Sequence, residues 1–169
     1  MAGLENYHAL VERIDDLCAR TVDQFPENIA CRAGCDACCR HLSIFAIEAA
    51  AVREALKSRS ADEVDLIRGL AASAEPVRCP LLHDGLCLLY EARPVICRTH
   101  GLPLMLECDG EKSIDFCPEN FKGLPSIPGS AVIDLERLNT MLAAINALYL
   151  QESPGPERLT MAQALALAD

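Results

Sequence analysis

Tryptophan is absent from this 169-residue chain, and the other aromatics are few, with three Tyr and four Phe. A core built on large rings is therefore excluded. Ala and Leu are abundant instead, which favours helix. Small side chains stabilise a core weakly one by one, so bonds to a metal would supply part of the folding energy. Net positive charge is also missing: the formal net charge is −10. That argues against non-specific binding to nucleic acid or to anionic membranes. No run of apolar residues approaches the length of a membrane span. The first eight residues, Met1 to His8, show neither a basic region nor an apolar signal core, so a cytoplasmic chain with reduced thiols is expected. No nucleophile elbow, P-loop, dinucleotide fingerprint or zincin motif is present, and no methyltransferase cofactor site is visible. Whether the chain is an enzyme is left open.

What the chain has is cysteine, ten of them. Four fall within nine residues, Cys31-Arg32-Ala33-Gly34-Cys35-Asp36-Ala37-Cys38-Cys39, in the pattern C-x3-C-x2-C-C. Cys79, Cys87, Cys97, Cys108 and Cys117 follow, and only Cys18 precedes. Packing alone does not explain so dense a knot, and reduced thiols this close point to a metal ion or an iron–sulfur cluster. Charge agrees. Residues 29–45 and residues 78–101 each sum to +1, leaving −12 on the remainder. Local arginines there would offset the charge of bound thiolates.

Half the residues are apolar, a globular composition, and the length suits one domain, 1–169. The expected class is a mostly α, small irregular helical domain organised around a multi-cysteine metal centre, with short extended or hairpin segments. Leu4, Tyr7, Val11, Ile14, Cys18, Val22 and Phe25 recur at helical spacing and predict a flanking helix over 4–25. A second is predicted from Ala46 to Arg59, and a third opens on a Ser60–Glu63 capping box. Asp84-Gly85 is a turn signal, and a tight hairpin there would bring Cys79 and Cys87 together. Arg93-Pro94 suits the start of a short helix carrying Cys97. Residues 102–130, with Pro103, Pro118, Pro125 and Pro128, read as irregular. The other flanking helix is expected over 131–150, with Val132, Leu135, Leu138, Met141, Leu142, Ile145 and Leu148 on its face. Ser153-Pro154-Gly155-Pro156 reads as a linker. Residues 153–169 then form a C-terminal tail with a short helix capped by Thr160 and Gln163.

The cysteine segments resemble the YkgJ-type cysteine cluster family, also described as the CxxCxxCC zinc- or iron-chelating domain. The resemblance rests on Cys31, Cys35, Cys38 and Cys39 followed by Glu48. It continues with Cys79-Pro80, Gly85, Cys87, Tyr90-Glu91, Arg93-Pro94 and Cys97-Arg98, and closes on Cys117 ahead of Gly123-Leu124-Pro125. It covers residues 31–125, the cysteine cluster core. The first gap of the knot is three residues here, where the family name implies two. The resemblance implies eight metal-binding cysteines: Cys31, Cys35, Cys38, Cys39, Cys79, Cys87, Cys97 and Cys117. Related domains occur in flagellin lysine N-methylases, where the domain is associated with an iron–sulfur cluster. Tyr90, Arg93 and Arg98 are candidates to orient the ligands or offset their charge.

Adjacent Cys38 and Cys39 do not easily bind one ion, because neighbouring side chains diverge in a strand and in a helix. Either they serve two centres, or one is a ligand and the other is packed or reactive. An iron–sulfur cluster, most simply [4Fe–4S], is the preferred cofactor, for redox or accessory use. The alternative is zinc in a structural or protein-interaction module, for which eight cysteines supply two four-thiolate sites. The paired C-x2-C…C-x2-C zinc signature is absent. A thiol-redox protein built on Cys35-Asp36-Ala37-Cys38 is weaker, lacking a βαβ context. His41 and His100 are expected to be hydrogen-bonded or exposed rather than ligands. Cys18 and Cys108 are expected to pack as apolar residues. The reading leaves room for a protein partner, expects no nucleic acid or membrane, and sets no oligomeric state.

Overall fold

The computed structural model describes residues 2–166. At its centre lies a helix whose first seven residues are all buried. This helix, α2 (Ala46–Lys57), buries Ala46, Ile47, Glu48, Ala49, Ala50, Ala51, Val52 and Leu56. A helical stretch buried all round needs neighbours on every side. Here α1 (Ala2–Gln24), α5 (Leu135–Glu152) and α6 (Met161–Ala166) surround it. The alanines let these neighbours approach closely, while Ile47 and Val52, wholly buried, contribute about 1.5–3 kcal/mol each. The mostly α expectation holds, with six α-helices among the described residues.

The α1 helix packs Tyr7, Leu10, Ile14 and Thr21 inward, whereas Val22, on the predicted stripe, is exposed. On α5 the buried positions are Leu138, Leu142, Asn146 and Tyr149. Met141 and Leu148 turn outward instead. Asn146 takes an inward place because its Oδ1 accepts the Ile47 backbone N–H at 3.0 Å, one of the free donors at the start of α2. Helix α5 begins at Leu135, later than predicted, after a 3-10 turn (Gly129–Ala131) and a two-residue strand. Helix α3 (Ala61–Ala72) opens as predicted, with Ser60 and Glu63 capping each other.

Short strands close the structure. Strand β1 (Ser43–Phe45) pairs antiparallel with β7 (Arg158–Thr160). The segment read as a tail is therefore built into the fold, and Ala164 and Leu165 of α6 are fully buried. Thr160 and Gln163 cap α6 reciprocally at 2.8 and 3.2 Å. Strands β2 (Leu82–His83) and β3 (Leu86–Cys87) form the predicted hairpin around Asp84 and Gly85, both at positive φ. The region read as irregular holds a second hairpin. Here β4 (Leu104–Cys108) pairs antiparallel with β5 (Glu111–Asp115) and parallel with β6 (Ile133–Asp134). Its turn, Asp109-Gly110, has the same positive-φ backbone as Asp84-Gly85. Among the described residues no helix is long and apolar enough to cross a membrane.

Candidate metal centre

Three short elements bring Cys39, Cys79, Cys87 and Cys97 together. First, residues 39–41 run antiparallel to residues 77–79. The Cys79 N–H donates to the Cys39 carbonyl at 3.2 Å, the His41 N–H to the Val77 carbonyl at 3.0 Å, and Arg40 bridges Arg78. An ion pair between Arg78 and Asp36 at 3.0 Å ties the same strand to the knot. Second, the β2–β3 hairpin sets Cys87 opposite Leu82, three residues beyond Cys79. Third, the short helix α4 (Val95–Thr99) carries Cys97. Pro94 stands just outside α4 as its cap residue, one position earlier than predicted.

Each of these four thiols has its pKa raised, first by burial. Cys39 is pushed up to about 11 and Cys97 to about 12. Neighbouring charges add to this: Cys39 feels Cys38 first and then Cys79 and Cys87, and Cys97 feels Cys79, Cys87, Glu48 and Cys39. Backbone donors oppose the rise. The N–H groups of Leu81 and Leu82 point at the Cys79 sulfur, and that of Leu89 at the Cys87 sulfur. Donors held on a sulfur favour its thiolate form. Such a group is uncomfortable when empty and charged, and a cation among the sulfurs reverses the penalty.

The other four cysteines of the set lie to one side. Cys31, Cys35 and Cys38 are exposed and Cys117 is half-buried. Cys31, Cys35 and Cys117 line a cavity of about 300 Å³ together with Arg32, Gly34 and Asn120. Gly101 explains the approach of Cys31 to Cys117. Its φ is +92°, and an added Cβ would stand 3.3 Å from the Cys31 sulfur and 3.5 Å from the Cys117 Cβ. Wholly buried Asn120 locks these pieces. Its Nδ2 donates to the Gly101 carbonyl at 2.6 Å and to the Cys31 sulfur at 3.4 Å, while its Oδ1 accepts the Ala30 N–H at 2.8 Å. The pKa of Cys38 is raised by burial first, and then by the charges of Cys35 and Cys31, against hydrogen bonds from its own backbone and with the Cys39 side chain, so Cys38 stays in contact with Cys39. Among the described residues, no three Cys, His, Asp or Glu side chains already stand in the arrangement of a metal ion's ligands.

Arg98 does not face the sulfurs. Its guanidinium pairs with Asp15 at 2.6 Å and donates to the carbonyls of Arg93 and Glu91. It thereby fastens the residues around Cys97 to α1. Arg93 lies close enough to lower the pKa of Cys87, and it stacks 3.6 Å over the exposed Tyr90 ring. Cys18 is half-buried, its thiol pushed up to about 11 by burial, and it donates to the Arg98 carbonyl at 3.6 Å. Cys108, expected to pack inside, is exposed at the end of β4. His100 is exposed. The His41 ring is hydrogen-bonded, with Nδ1 to the Glu75 carbonyl and Nε2 accepting the Ala162 N–H.

Two residues act at this site in ways that their motifs did not disclose. Glu48, noted only as part of a pattern, is buried and caps two helices, and Asn120 carried no signal beyond following Cys117-Pro118.

A small helical scaffold that gathers Cys39, Cys79, Cys87 and Cys97 from a ladder, a hairpin and a helix, with the rest of the knot alongside, has the architecture of a cysteine-cluster protein. Residues 30–118, more than half of the chain, match the family model described as "CxxCxxCC: Putative zinc- or iron-chelating domain". The chain belongs to that family, whose description is one of metal chelation. No curated protein matches it, and no solved structure does.

Proposed function

We propose that this protein binds an iron–sulfur cluster, most simply [4Fe–4S], through cysteine thiolates, for redox or accessory use. The observation that carries the reading is the gathering of Cys39, Cys79, Cys87 and Cys97, with backbone N–H groups already directed at two of the sulfurs. These donors would hold the thiolates in place and lower the negative charge density on them. Partial burial would keep water from the sulfurs and tune the potential of what they hold. Arg98 would keep Cys97 in register through Asp15 and the Arg93 and Glu91 carbonyls. Arg93 would offset charge near Cys87. When bound, the cluster supplies one-electron chemistry. Further support comes from ligands spread over a strand, a hairpin and a helix, and from the Cys–Pro steps at 79–80 and 117–118. A reducing, cytoplasmic setting follows from the same thiol requirement.

The second reading is a zinc-stabilised structural or partner-binding module. It is favoured by the turn at Cys79, where two N–H donors converge on one sulfur, since that arrangement serves a tetrathiolate zinc site equally well. Anaerobic purification decides between them, with a visible spectrum and analysis for iron, zinc and sulfide. A brown protein with matched iron and sulfide supports the cluster. A colourless protein holding zinc after growth in adequate iron overturns it.

A further inference from the structure

Cys31 and Cys117 stand apart from the gathering of Cys39, Cys79, Cys87 and Cys97, on the wall of a cavity that none of those four lines. The backbone is pinned at both. Asn120 Oδ1 accepts the Ala30 N–H at 2.8 Å, just before Cys31, and Asn120 Nδ2 rests against the Cys31 sulfur at 3.4 Å. The Cys117 N–H donates to the Gly101 carbonyl at 3.3 Å, and the Asn120 N–H to the Cys117 carbonyl at 2.9 Å. The space that a side chain at Gly101 would fill is bounded by the Cys31 sulfur at 3.3 Å and the Cys117 Cβ at 3.5 Å, and glycine leaves it free. Cys31 is exposed and Cys117 half-buried. An accessible thiol with a second, more shielded one beside it is the arrangement of an attacking and a resolving cysteine. The cavity, about 300 Å³, admits a small molecule. Two charged residues stand on its wall, Arg32 and Glu119. Glu119 is paired with Lys122 at 3.3 Å, so the charge left for a ligand is that of Arg32, which suits a carboxylate.

We propose that Cys31 and Cys117 form a thiol–disulfide exchange site for a small, carboxylate-bearing disulfide held in this cavity. The Cys31 thiolate attacks one sulfur of the ligand. A new S–S bond joins Cys31 to that half, and the ligand's own S–S bond breaks, releasing the other half as a thiolate. Cys117, having given its proton to solvent, then attacks the Cys31 sulfur. The Cys31–Cys117 disulfide forms and the second half departs. The two protein thiols lose two electrons and two protons. The ligand takes both electrons and, with two protons, leaves as two thiols, so no other oxidant is needed. An excess of the free thiol reverses both steps, and the site therefore follows the balance of disulfide to thiol around it. The new bond ties the first cysteine of the knot to the loop after β5. No sulfur of Cys39, Cys79, Cys87 or Cys97 takes part, so the proposal stands whatever metal those four hold.

The full chain as purified, its metal content measured, is treated with oxidised glutathione under anaerobic conditions. Free thiols are trapped by alkylation, and disulfides are mapped by mass spectrometry. The Cys31–Cys117 link is expected to form first, with two molecules of reduced glutathione released for each link. Cys117→Ser is expected to stop at glutathione attached to Cys31, and Cys31→Ser to give neither product. Cys35→Ser, which changes the third cysteine of the cavity, is expected to keep the link. Arg32→Ala is expected to slow the reaction with oxidised glutathione by roughly fivefold. It is not expected to slow the reaction with cystamine, a disulfide that has no carboxylate. Helical circular dichroism checks that each variant is folded; should a cysteine variant fail to fold, the parent map and Arg32→Ala still decide. A first link through Cys35, a glutathione adduct on Cys31 that persists in the parent, or no reaction at Cys31 overturns the proposal. Equal rates for Arg32→Ala and the parent with oxidised glutathione overturn its carboxylate selection.

Discussion

Glu48 Oε1 accepts the backbone N–H of Val95 at 2.9 Å, across a separation of 47 residues. Its other oxygen, Oε2, accepts the N–H of Phe45 at 2.9 Å. One buried carboxylate thus caps α2, in which it sits, and α4, which carries Cys97. The scaffold and the metal-binding segment share a single anchor.

Removing that anchor leaves two donors without partners. Glu48→Ala is expected to destabilise the protein by about 2–4 kcal/mol, measured by urea unfolding. Glu48→Gln, which keeps one acceptor oxygen, is expected to cost less. Burial, the larger influence, raises the pKa of Glu48 above its ordinary 4.5, against the two backbone donors. The folded state then holds the proton more tightly than the unfolded state. Stability from this group is present below pH 4.5 and is lost as pH rises through the folded value. The parent protein should gain stability relative to Glu48→Gln as pH is lowered through that window. A constant difference between the two would count against the assignment.

Metal removal should loosen the fold as well as empty the site. A ligand at a thousandfold excess over its Kd stabilises by about 4 kcal/mol, which for a domain of this size is a fall in Tm of roughly 8–16 °C once it is removed. Chelation under reducing conditions, or Cys79→Ser, should produce such a fall in a thermal scan. An unchanged Tm would show that the thiols hold metal without supporting the structure.

Affinity should depend steeply on pH. The free thiols are held protonated, with Cys39 near 11 and Cys97 near 12, and a metal must displace those protons. Apparent affinity therefore rises with pH. Four displaced protons set an upper limit of about 10⁴-fold per pH unit, read by chelator competition between about pH 6.5 and 8. The metal-free protein is expected to show the opposite trend at higher pH. Its raised thiol pKa values give stability that is complete below pH 9 and lost as pH rises towards 11–12. Parallel pH trends for affinity and metal-free stability would refute this account.

Gly101 offers a test of the packing between Cys31 and Cys117. Gly101→Ala combines strain at φ +92° with a methyl group 3.3 Å from the Cys31 sulfur. A loss of about 1–3 kcal/mol is expected, together with faster alkylation of Cys31. Alkylation followed by mass spectrometry reads the second effect directly, and an unchanged Cys31 rate would mean that the sulfur yields freely.

Much of this was legible in the chain itself. The Ser60–Glu63 and Thr160–Gln163 boxes announce two helix starts because capping is local chemistry, and Asp84-Gly85 announces a turn for the same reason. Asp109-Gly110 carries the same signal, but four prolines nearby and weak alternation from Leu104 to Cys108 concealed its hairpin. The stripes of α1 and α5 located helices without fixing which residues face inward. Val22, Met141 and Leu148 satisfy the spacing, yet Asn146 takes a core position to reach Ile47, a contact made across 99 residues. The roles of Glu48 and Asn120 are hidden likewise, since each depends on backbone groups distant in sequence. Regular strand or helix geometry would part Cys38 from Cys39, but a turn at residues 37–38 keeps their side chains in hydrogen-bond contact, which spacing alone does not disclose.

Strand β7 and helix α6 follow all eight cysteines in the order of synthesis, and they close the structure by pairing with β1 and packing beside α2. A ribosome therefore exposes all eight of these cysteines before β7 and α6 can complete the scaffold. During that interval the nascent chain presents loose sulfurs to whatever metal, oxidant or delivery protein is at hand. Loading and folding must then compete in time, and a cell short of the correct metal would release a chain whose scaffold is complete beside bare sulfur.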